Sequence, residues 1–416
     1  LLIYKNPNNF NKANTKLPEG VYNVYTWREN DYQGITRKID KFLDIFRNNE
    51  YIEEVSIIEE PYDYSRKKNF IIGHTEFERN IKIKIVGKNE NTYDMKIEVP
   101  KFNDGYFHIN KIKKFALYEM VDLPLVRRIT KKANETRIFN NFIFLKIEDT
   151  KQGMFIKVGK EKFPILPFFV TYVDDDEVEL KGSTLEFKGD YEILNELLSN
   201  EIHDIPNIKL KPGYKLTDKK TWMKLLGSNK RTRKLNKIFK NLKLAIEADY
   251  FNTELIEGNI LIEGLKKQLY VDEPDSPINL ENKRIRITEY LILKVLQELF
   301  TELCNLPFHK NKNRNMILSN DFSSEEIVSL VQSSADNYNG ISSMTELIKG
   351  TYLGIGAFSK SYNLSELRDI HPSYYGLIDP IMTPDRDTAG LVFVFTDNIK
   401  FNERGEILNK LKQKDF

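Results

Sequence analysis

The chain has 416 residues, 40% hydrophobic and 30% charged, with a formal net charge of +2; this excludes a disordered polyelectrolyte and leaves any polyanion binding to local patches. One cysteine, Cys304, excludes an internal disulfide framework and points to a reducing compartment, and with five scattered histidines it also excludes a zinc ribbon. No apolar run approaches the roughly 18–20 residues of a membrane span, no signal-peptide pattern opens the chain, and the length suggests roughly two to four domains.

The first sixty residues mix aromatics with charges, and "GITRKIDKFLDIFRN" (34–48) predicts a helix, with Ile39, Phe42, Leu43 and Phe46 on one side. From residue 81 the period becomes two: "IKIKIV" and "YDMKIEV" read as half-buried antiparallel strands. "NDGYFHINKIKKFALYEM" continues the pattern, with Asp104-Gly105 as a turn. Residues 130–205 read as mixed, with a strand at "FIKVG" and a helix around "DYEILNELLSN". Between Lys209 and Lys243 lies a dense run of lysines and arginines opposed only by Asp218, with Trp222, Leu225, Leu226, Leu235, Ile238 and Phe239 interleaved. "VDEPDSP" (271–277) reads as a linker. "TEYLILKVLQELFTEL" (288–303) carries an apolar helical stripe, and "SSEEIVSLVQSS" predicts a second helix whose capping box is Ser323 with Glu326. "GTYLGIGAF" (350–358) is a glycine-rich loop that leads into "RDIHPSYYGLIDPIMTPDRDTAGLVFVF" (368–395).

Several of these stretches resemble chemistry, and each has a plainer reading. Asp174, Asp175, Asp176 and Glu177 suggest a magnesium site, but consecutive residues on an extended chain point to opposite faces, so a solvated acidic turn fits better. The basic run 209–243 suits phosphate neutralisation or, equally, a helix packed on one face and solvated on the other. The 350–358 loop lacks the third glycine of a dinucleotide fingerprint and the Lys-Ser/Thr of a P-loop. His371 has the type of a general base but no nucleophile motif beside it; a backbone hydrogen bond ahead of the proline turn is the simpler role. Asp385 and Asp387 suit a metal or a turn cap alike.

The 368–395 stretch resembles the β subunit of multisubunit RNA polymerases, where a segment reads H-P-x-x-Y-G-x-x-x-P-I-x-T-P, then five residues, then G-L. His371, Pro372, Tyr375, Gly376, Pro380, Ile381, Thr383, Pro384, Gly390 and Leu391 match it without a gap. Other segments agree in the same order. "DGYFHINKIKKFALYEMVDLP" resembles the family's G-x-F-x-I-N-G-x-E-R-V pair with Lys111 for its turn glycine, and "KFPILPFFVTYVDDDE" resembles the lobe segment with its arginine lost. "INLENKRIRITEYLI" is similar to H-L-G-N-R-R-I-R and keeps Asn282, Arg284 and Arg286.

The resemblance implies an α+β multidomain fold of mixed antiparallel sheets with helices, comprising protrusion, lobe and the fork and rifamycin-pocket region. The expected division is a protrusion-like segment over 1–125, a lobe-like section over 126–286, a helical return over 287–330, and a fork and rifamycin-pocket-like region over 331–416. It further implies the N-terminal half of a split β subunit, of the type found in giant bacteriophages, at work in the cytoplasm of an infected bacterial host. Its partners would be a C-terminal β-like subunit, β′-like subunits, a promoter-specificity subunit, template DNA, the RNA transcript and NTPs, with no membrane.

No catalytic residue is expected here, because the family's magnesium-binding N-A-D-F-D-G-D run is absent. Mg2+ would be held by another subunit, and this chain would bind none. Lys349, Lys360, Arg368, Asp385 and Thr388 would lie near nucleic acid or substrate, and Gly354, Gly356 and Ser359 would belong to the fork loop. Lysine keeps the family's positive charge at Lys349 and Lys360 but loses arginine's bidentate geometry. Of the rifamycin-pocket equivalents, Asp336 is kept, while Ser333, Glu346 and Thr351 replace glutamine, histidine and serine, which predicts rifampicin resistance. Three other readings stay open: a DNA-binding regulatory phage protein with β-like architecture, a structural virion protein, and a nuclease using the Asp174–Glu177 cluster.

Overall fold

The computed structural model describes residues 20–64, 76–88, 92–103, 105–109, 112–130, 133–174, 177–181, 184–201, 222, 226, 232–305, 315–321, 331–333, 345–354, 368–382 and 389–408. They form two compact units: residues 1–121 with 277–416, and residues 122–276, against the 126–286 expected for the lobe-like section.

The first unit opens with α1 (Val24–Gln33), capped by the Asn23 side chain accepting from the Thr26 amide at 3.0 Å. Gly34 then separates it from α2 (Ile35–Arg47), the helix expected at 34–48. Ile35, Ile39, Phe42, Leu43 and Phe46 are all buried on one face of α2, each contributing about 1.5–3 kcal/mol of apolar burial. That face packs on β1 (Ile52–Pro61), which pairs antiparallel with β2 (Phe77–Gly87), itself paired with β3 (Thr92–Pro100). Alternation in β2 sends Ile81, Ile83 and Ile85 inward while Lys82 and Lys84 stay outside. The short strands β4 (Phe102–Asn103), β5 (Tyr106–Ile109) and β6 (Ile112–Ala116) form a meander. Gly105 turns between the first two at φ +86°, where a Cβ would also strike the Leu347 side chain. β7 (Tyr118–Asp122) ends the segment.

The second unit is built on the antiparallel sheet β12-β11-β10-β9-β8, whose strands are β8 (Leu125–Ile129), β9 (Asn134–Ile138), β10 (Leu145–Thr150), β11 (Gly153–Val158) and β12 (Glu161–Pro164). Ile147, Ile156 and Phe163 point into its core. The outer face carries a ladder of charges, with Lys146 on Glu135 at 2.7 Å and Lys162 on Glu148 at 2.9 Å. α3 (Ile165–Tyr172) is buried at every residue. After the hairpin β13 (Val178–Lys181) and β14 (Thr184–Phe187) come α4 (Ile193–Glu201), α5 (Thr232–Ala248) and α6 (Ile260–Tyr270). α6 lies across β8, β9 and β10, and Gly264 permits the close approach, since a Cβ there would sit 2.8 Å from Ile138 Cδ1. The expected linker at 271–277 is strapped to β8 instead: the Arg127 amide donates to Asp275 Oδ2 at 2.6 Å, and the Asp275 amide returns a bond to the Arg127 carbonyl at 2.9 Å.

The chain re-enters the first unit through β15 (Lys283–Arg286) and α7 (Thr288–Asn305), the latter packed on α2. β16 (Asn315–Asp321) adds in parallel to β3, and β17 (Val331–Ser333) pairs antiparallel with β6. Sequence periodicity places the last turn of a helix at 331–333; the backbone instead takes sheet partners at Lys114, Phe115 and Ala116, while residues 322–330 lie outside the described set. β18 (Lys349–Thr351) and β19 (Val392–Val394) complete the sheet β15-β7-β18-β19.

Candidate functional site

Strand β18 supplies the middle of that sheet. It runs parallel to β7, with Gly350 opposite Tyr118, and antiparallel to β19, with Gly350 opposite Phe393. Gly350 is required because any Cβ would collide with the Phe393 ring. Lys349, one residue earlier, is half-buried and has no ion-pair partner among the described residues. Thr351 is buried and its hydroxyl accepts the Leu353 amide at 3.0 Å; Glu346, on the preceding turn, is also buried.

The 368–395 stretch is fastened to this sheet by its polar side chains. His371 caps a 3₁₀ turn at Pro372–Tyr374: its Nδ1 accepts the Ser373 amide at 3.2 Å, so the ring serves the backbone as the sequence suggests. The Ser373 hydroxyl also accepts the Leu280 amide at 3.0 Å, and the Tyr374 and Tyr352 hydroxyls meet at 2.8 Å. Gly376 turns at φ +72°, and Asp379 Oδ1 accepts the Ile381 amide at 2.8 Å. Gly390, at φ +74°, lies where a Cβ would press on the Arg368 backbone, which holds exposed Arg368 beside the return to β19. Ile370, Tyr375 and Ile381 face outward, and Pro380 is exposed.

Beneath the sheet is an ionic cluster only partly visible in the sequence. Arg286 on β15 donates from Nε to Glu119 Oε2 at 2.6 Å and from Nη1 to Glu289 Oε1 at 3.2 Å. Arg284 holds Glu289 with two bonds, at 2.7 and 2.8 Å. All four side chains are buried. Burial alone would raise Glu289, but Arg284 and Arg286 outweigh it and hold the carboxyl near 2. Glu119 goes the other way: burial outweighs Arg286 and raises it. Its Oε1 has no hydrogen-bond partner among the described residues and faces Gly354, where a Cβ would overlap it. Arg284 and Arg286 stand in the matched motif; Glu119 and Glu289 were read as part of an apolar strand and an apolar helix. A charge within the fully buried run Tyr118–Val121 is the one signal that demands a buried cation.

The remaining candidates divide. Asp174 is exposed and accepts Lys243 at 2.7 Å. Among the described residues no group of three or more His, Cys, Asp or Glu converges as a metal-ligand set. In the basic run, Trp222, Leu226, Leu235 and Phe239 are buried, whereas Lys234, Lys237 and Lys240 are exposed, and Lys234 pairs with Glu161. Asp336, Gly356, Ser359, Lys360, Thr383, Pro384, Asp385, Thr388, and the side chain of Ser333, lie outside the described residues. No described helix is long and apolar enough to cross a membrane.

Comparison with known proteins accounts for the spacing in the 371–391 motif: residues 333–400 match the family model for RNA polymerase Rpb2, domain 3. The chain is homologous to the β subunit of DNA-directed RNA polymerase. It is 28% identical to the β subunit of Bigelowiella natans over 318 residues, covering 66% of this chain and 28% of that one. With the β-subunit N-terminal section of Stigeoclonium helveticum it shares 30% identity over 144 residues, or 31% and 20% of the two chains. With the β subunit of Mycoplasma mycoides it shares 30% over 149 residues, or 33% and 12%. The match thus spans between about an eighth and somewhat over a quarter of these relatives' length, and the relatives are named as the β subunit, or its N-terminal section, of DNA-directed RNA polymerase.

Proposed function

We propose that this chain is the N-terminal β-like subunit of a phage multisubunit RNA polymerase, forming one wall of the cleft that holds DNA and RNA. The observation that carries this reading is the ungapped 371–391 motif, pinned to the same sheet as Lys349. Fixed positive charge beside phosphates and a rigid backbone suit such a wall. Lys349, Lys360, Arg368, Asp385 and Thr388 would approach nucleic acid or substrate, with the loop begun by Gly354 as the fork. His371 is committed to its turn, and the Arg284–Glu289 and Arg286–Glu119 ion pairs are buried, so these groups act as framework.

In this reading the catalytic magnesium belongs to a β′-like chain, a C-terminal β-like chain completes the wall, and a further subunit selects promoters in the host cytoplasm. Loss of the pocket's histidine to Glu346, with Ser333 and Thr351 also exchanged, would leave the assembled enzyme insensitive to rifampicin. Purifying the tagged chain from infected cells, with native mass spectrometry and a promoter-dependent transcription assay, tests the assignment. The expected result is a complex with a second β-like and β′-like chains that transcribes in the presence of micromolar rifampicin. A chain that purifies alone, or that polymerises ribonucleotides unaided, overturns it.

A further inference from the structure

We propose that Ile370, Tyr375, Ile381 and Met382 form a docking surface for an apolar face of a second protein chain, the one that carries the next part of a β-type polypeptide. This rests on the polymerase reading and adds to it the surface at which the two chains meet. Ile381, Ile370 and Tyr375 are 85, 82 and 73% exposed, the three most exposed large apolar side chains among the described residues, and the neighbouring Met382 is exposed as well. All four fall within residues 370–382 of the first unit. Single exposed apolar side chains are ordinary on a protein surface, whereas several gathered on one short stretch mark a partner site.

Polar fastening of the backbone holds these side chains out. Ile370 and Tyr375 flank the 3₁₀ turn at Pro372–Tyr374, which His371 Nδ1 caps and in which the Tyr375 amide donates to the Pro372 carbonyl at 3.2 Å. Leu377 and Ile378 then turn inward and are buried. They are fixed beside β19 by the Thr396 amide, which donates to the Leu377 carbonyl at 2.9 Å, and by the Asp379 amide, which donates to the Val394 carbonyl at 2.8 Å. Asp379 Oδ1 in turn accepts the Ile381 and Met382 amides at 2.8 and 3.3 Å. Folding these side chains back onto the core would break these bonds, so the surface is preformed and association costs it little ordering.

The composition of the stretch selects the occupant. Residues 370–382 contain no lysine or arginine, so they offer phosphates no counter-charge and fit a nucleic-acid strand poorly. Their one carboxylate, Asp379, is engaged by the two amides, which leaves the near-neutral, aromatic-bearing surface found at the centre of protein interfaces. A second copy of this chain would require the patch to match itself across a two-fold axis. A different chain is favoured because the relatives run far beyond the stretch matched here, so that each supplies further polypeptide able to cover it.

The test uses the complex purified from infected cells through the tagged full chain. Ile381→p-benzoylphenylalanine, irradiated in the complex, is expected to cross-link to a chain that resembles the later part of a β subunit, identified by mass spectrometry. Ile381→Asp is expected to lower co-purification of that chain about tenfold or more. Ile58→Asp, at an exposed isoleucine of β1 in the same unit, is expected to leave it unchanged, and both variants should melt as the wild-type chain does. An intact complex in which position 381 cross-links only to nucleic acid, to a second copy of this chain or to nothing would overturn the docking surface and leave the polymerase reading standing, as would an equal loss from the two aspartate variants. A chain that purifies without any β-like or β′-like partner would overturn both.

Discussion

Replacing Arg286 with methionine isolates the energetics of the buried ionic cluster. Methionine approximates the arginine stem but removes the guanidinium that lies 2.6 Å from Glu119 and 3.2 Å from Glu289. Glu289 keeps both bonds from Arg284, so its carboxylate stays ionised. Glu119 loses the partner of its Oε2, while its Oε1 already lacks one among the described residues. Stranding a buried carboxylate in this way costs about 3–5 kcal/mol at neutral pH. The pH dependence gives the reasoning a second check. Glu119 has a folded-state pKa raised above its unfolded value of 4.5, and in the variant it rises further. The destabilisation is therefore full above the folded pKa and is relieved as pH falls toward 4.5, by about 1.4 kcal/mol per pH unit within that window. Glu289, held near 2, has the opposite sign: its stabilisation is present above 4.5 and is lost only as pH falls toward 2. Between pH 5 and 8 the slope thus reports Glu119 alone among the pair. The chain's two tryptophans divide between the units, Trp27 in the first and Trp222 in the second. In a Trp222→Phe background, urea unfolding followed by Trp27 fluorescence reads the unit that holds the cluster. Adding Glu119→Gln to Arg286→Met should recover much of the loss. A cost below about 1 kcal/mol at pH 7.5, or a loss that is flat from pH 8 to 5, would refute the account.

Three further outcomes follow from the same physics. Gly354→Ala places a Cβ on the pinned Glu119 carboxylate, so its melting temperature should fall by the equivalent of about 1–3 kcal/mol of overpacking. Asp249 is fully buried and accepts from the Asn141 amide at 2.7 Å, the Asn141 side chain at 2.8 Å and Asn252 at 2.8 Å. Asp249→Ala should destabilise the second unit by about 2–4 kcal/mol in Trp222-monitored unfolding, since it orphans several donors at once, whereas Lys243→Ala, which breaks an exposed pair with Asp174, should cost under about 1 kcal/mol. His371→Ala should lose about 1 kcal/mol of thermal stability and His371→Asn much less, because asparagine can still cap the turn.

Most secondary structure here was legible from periodicity wherever one face meets water. α2, β2, β3 and α7 stand where the apolar spacing places them, since amphipathic elements record their own orientation. The 371–391 spacing likewise singled out the stretch that the family comparison matches, and the turn role of His371 could be read from the proline beside it. Elements without such a contrast were missed. α3 is buried all round and so shows no period, and β1 lies at the edge of its sheet with Ile58 exposed among glutamates. β17 takes its conformation from β6, a partner some two hundred residues away in the chain, against its own local helical pattern. The same holds for function. Local sequence determined which residues are charged and which turns are rigid. Only tertiary structure decided that Arg284 and Arg286 are consumed by Glu119 and Glu289 while Lys349 keeps no ion partner among the described residues, because whether a charge is spent depends on what the fold brings within a few ångströms of it.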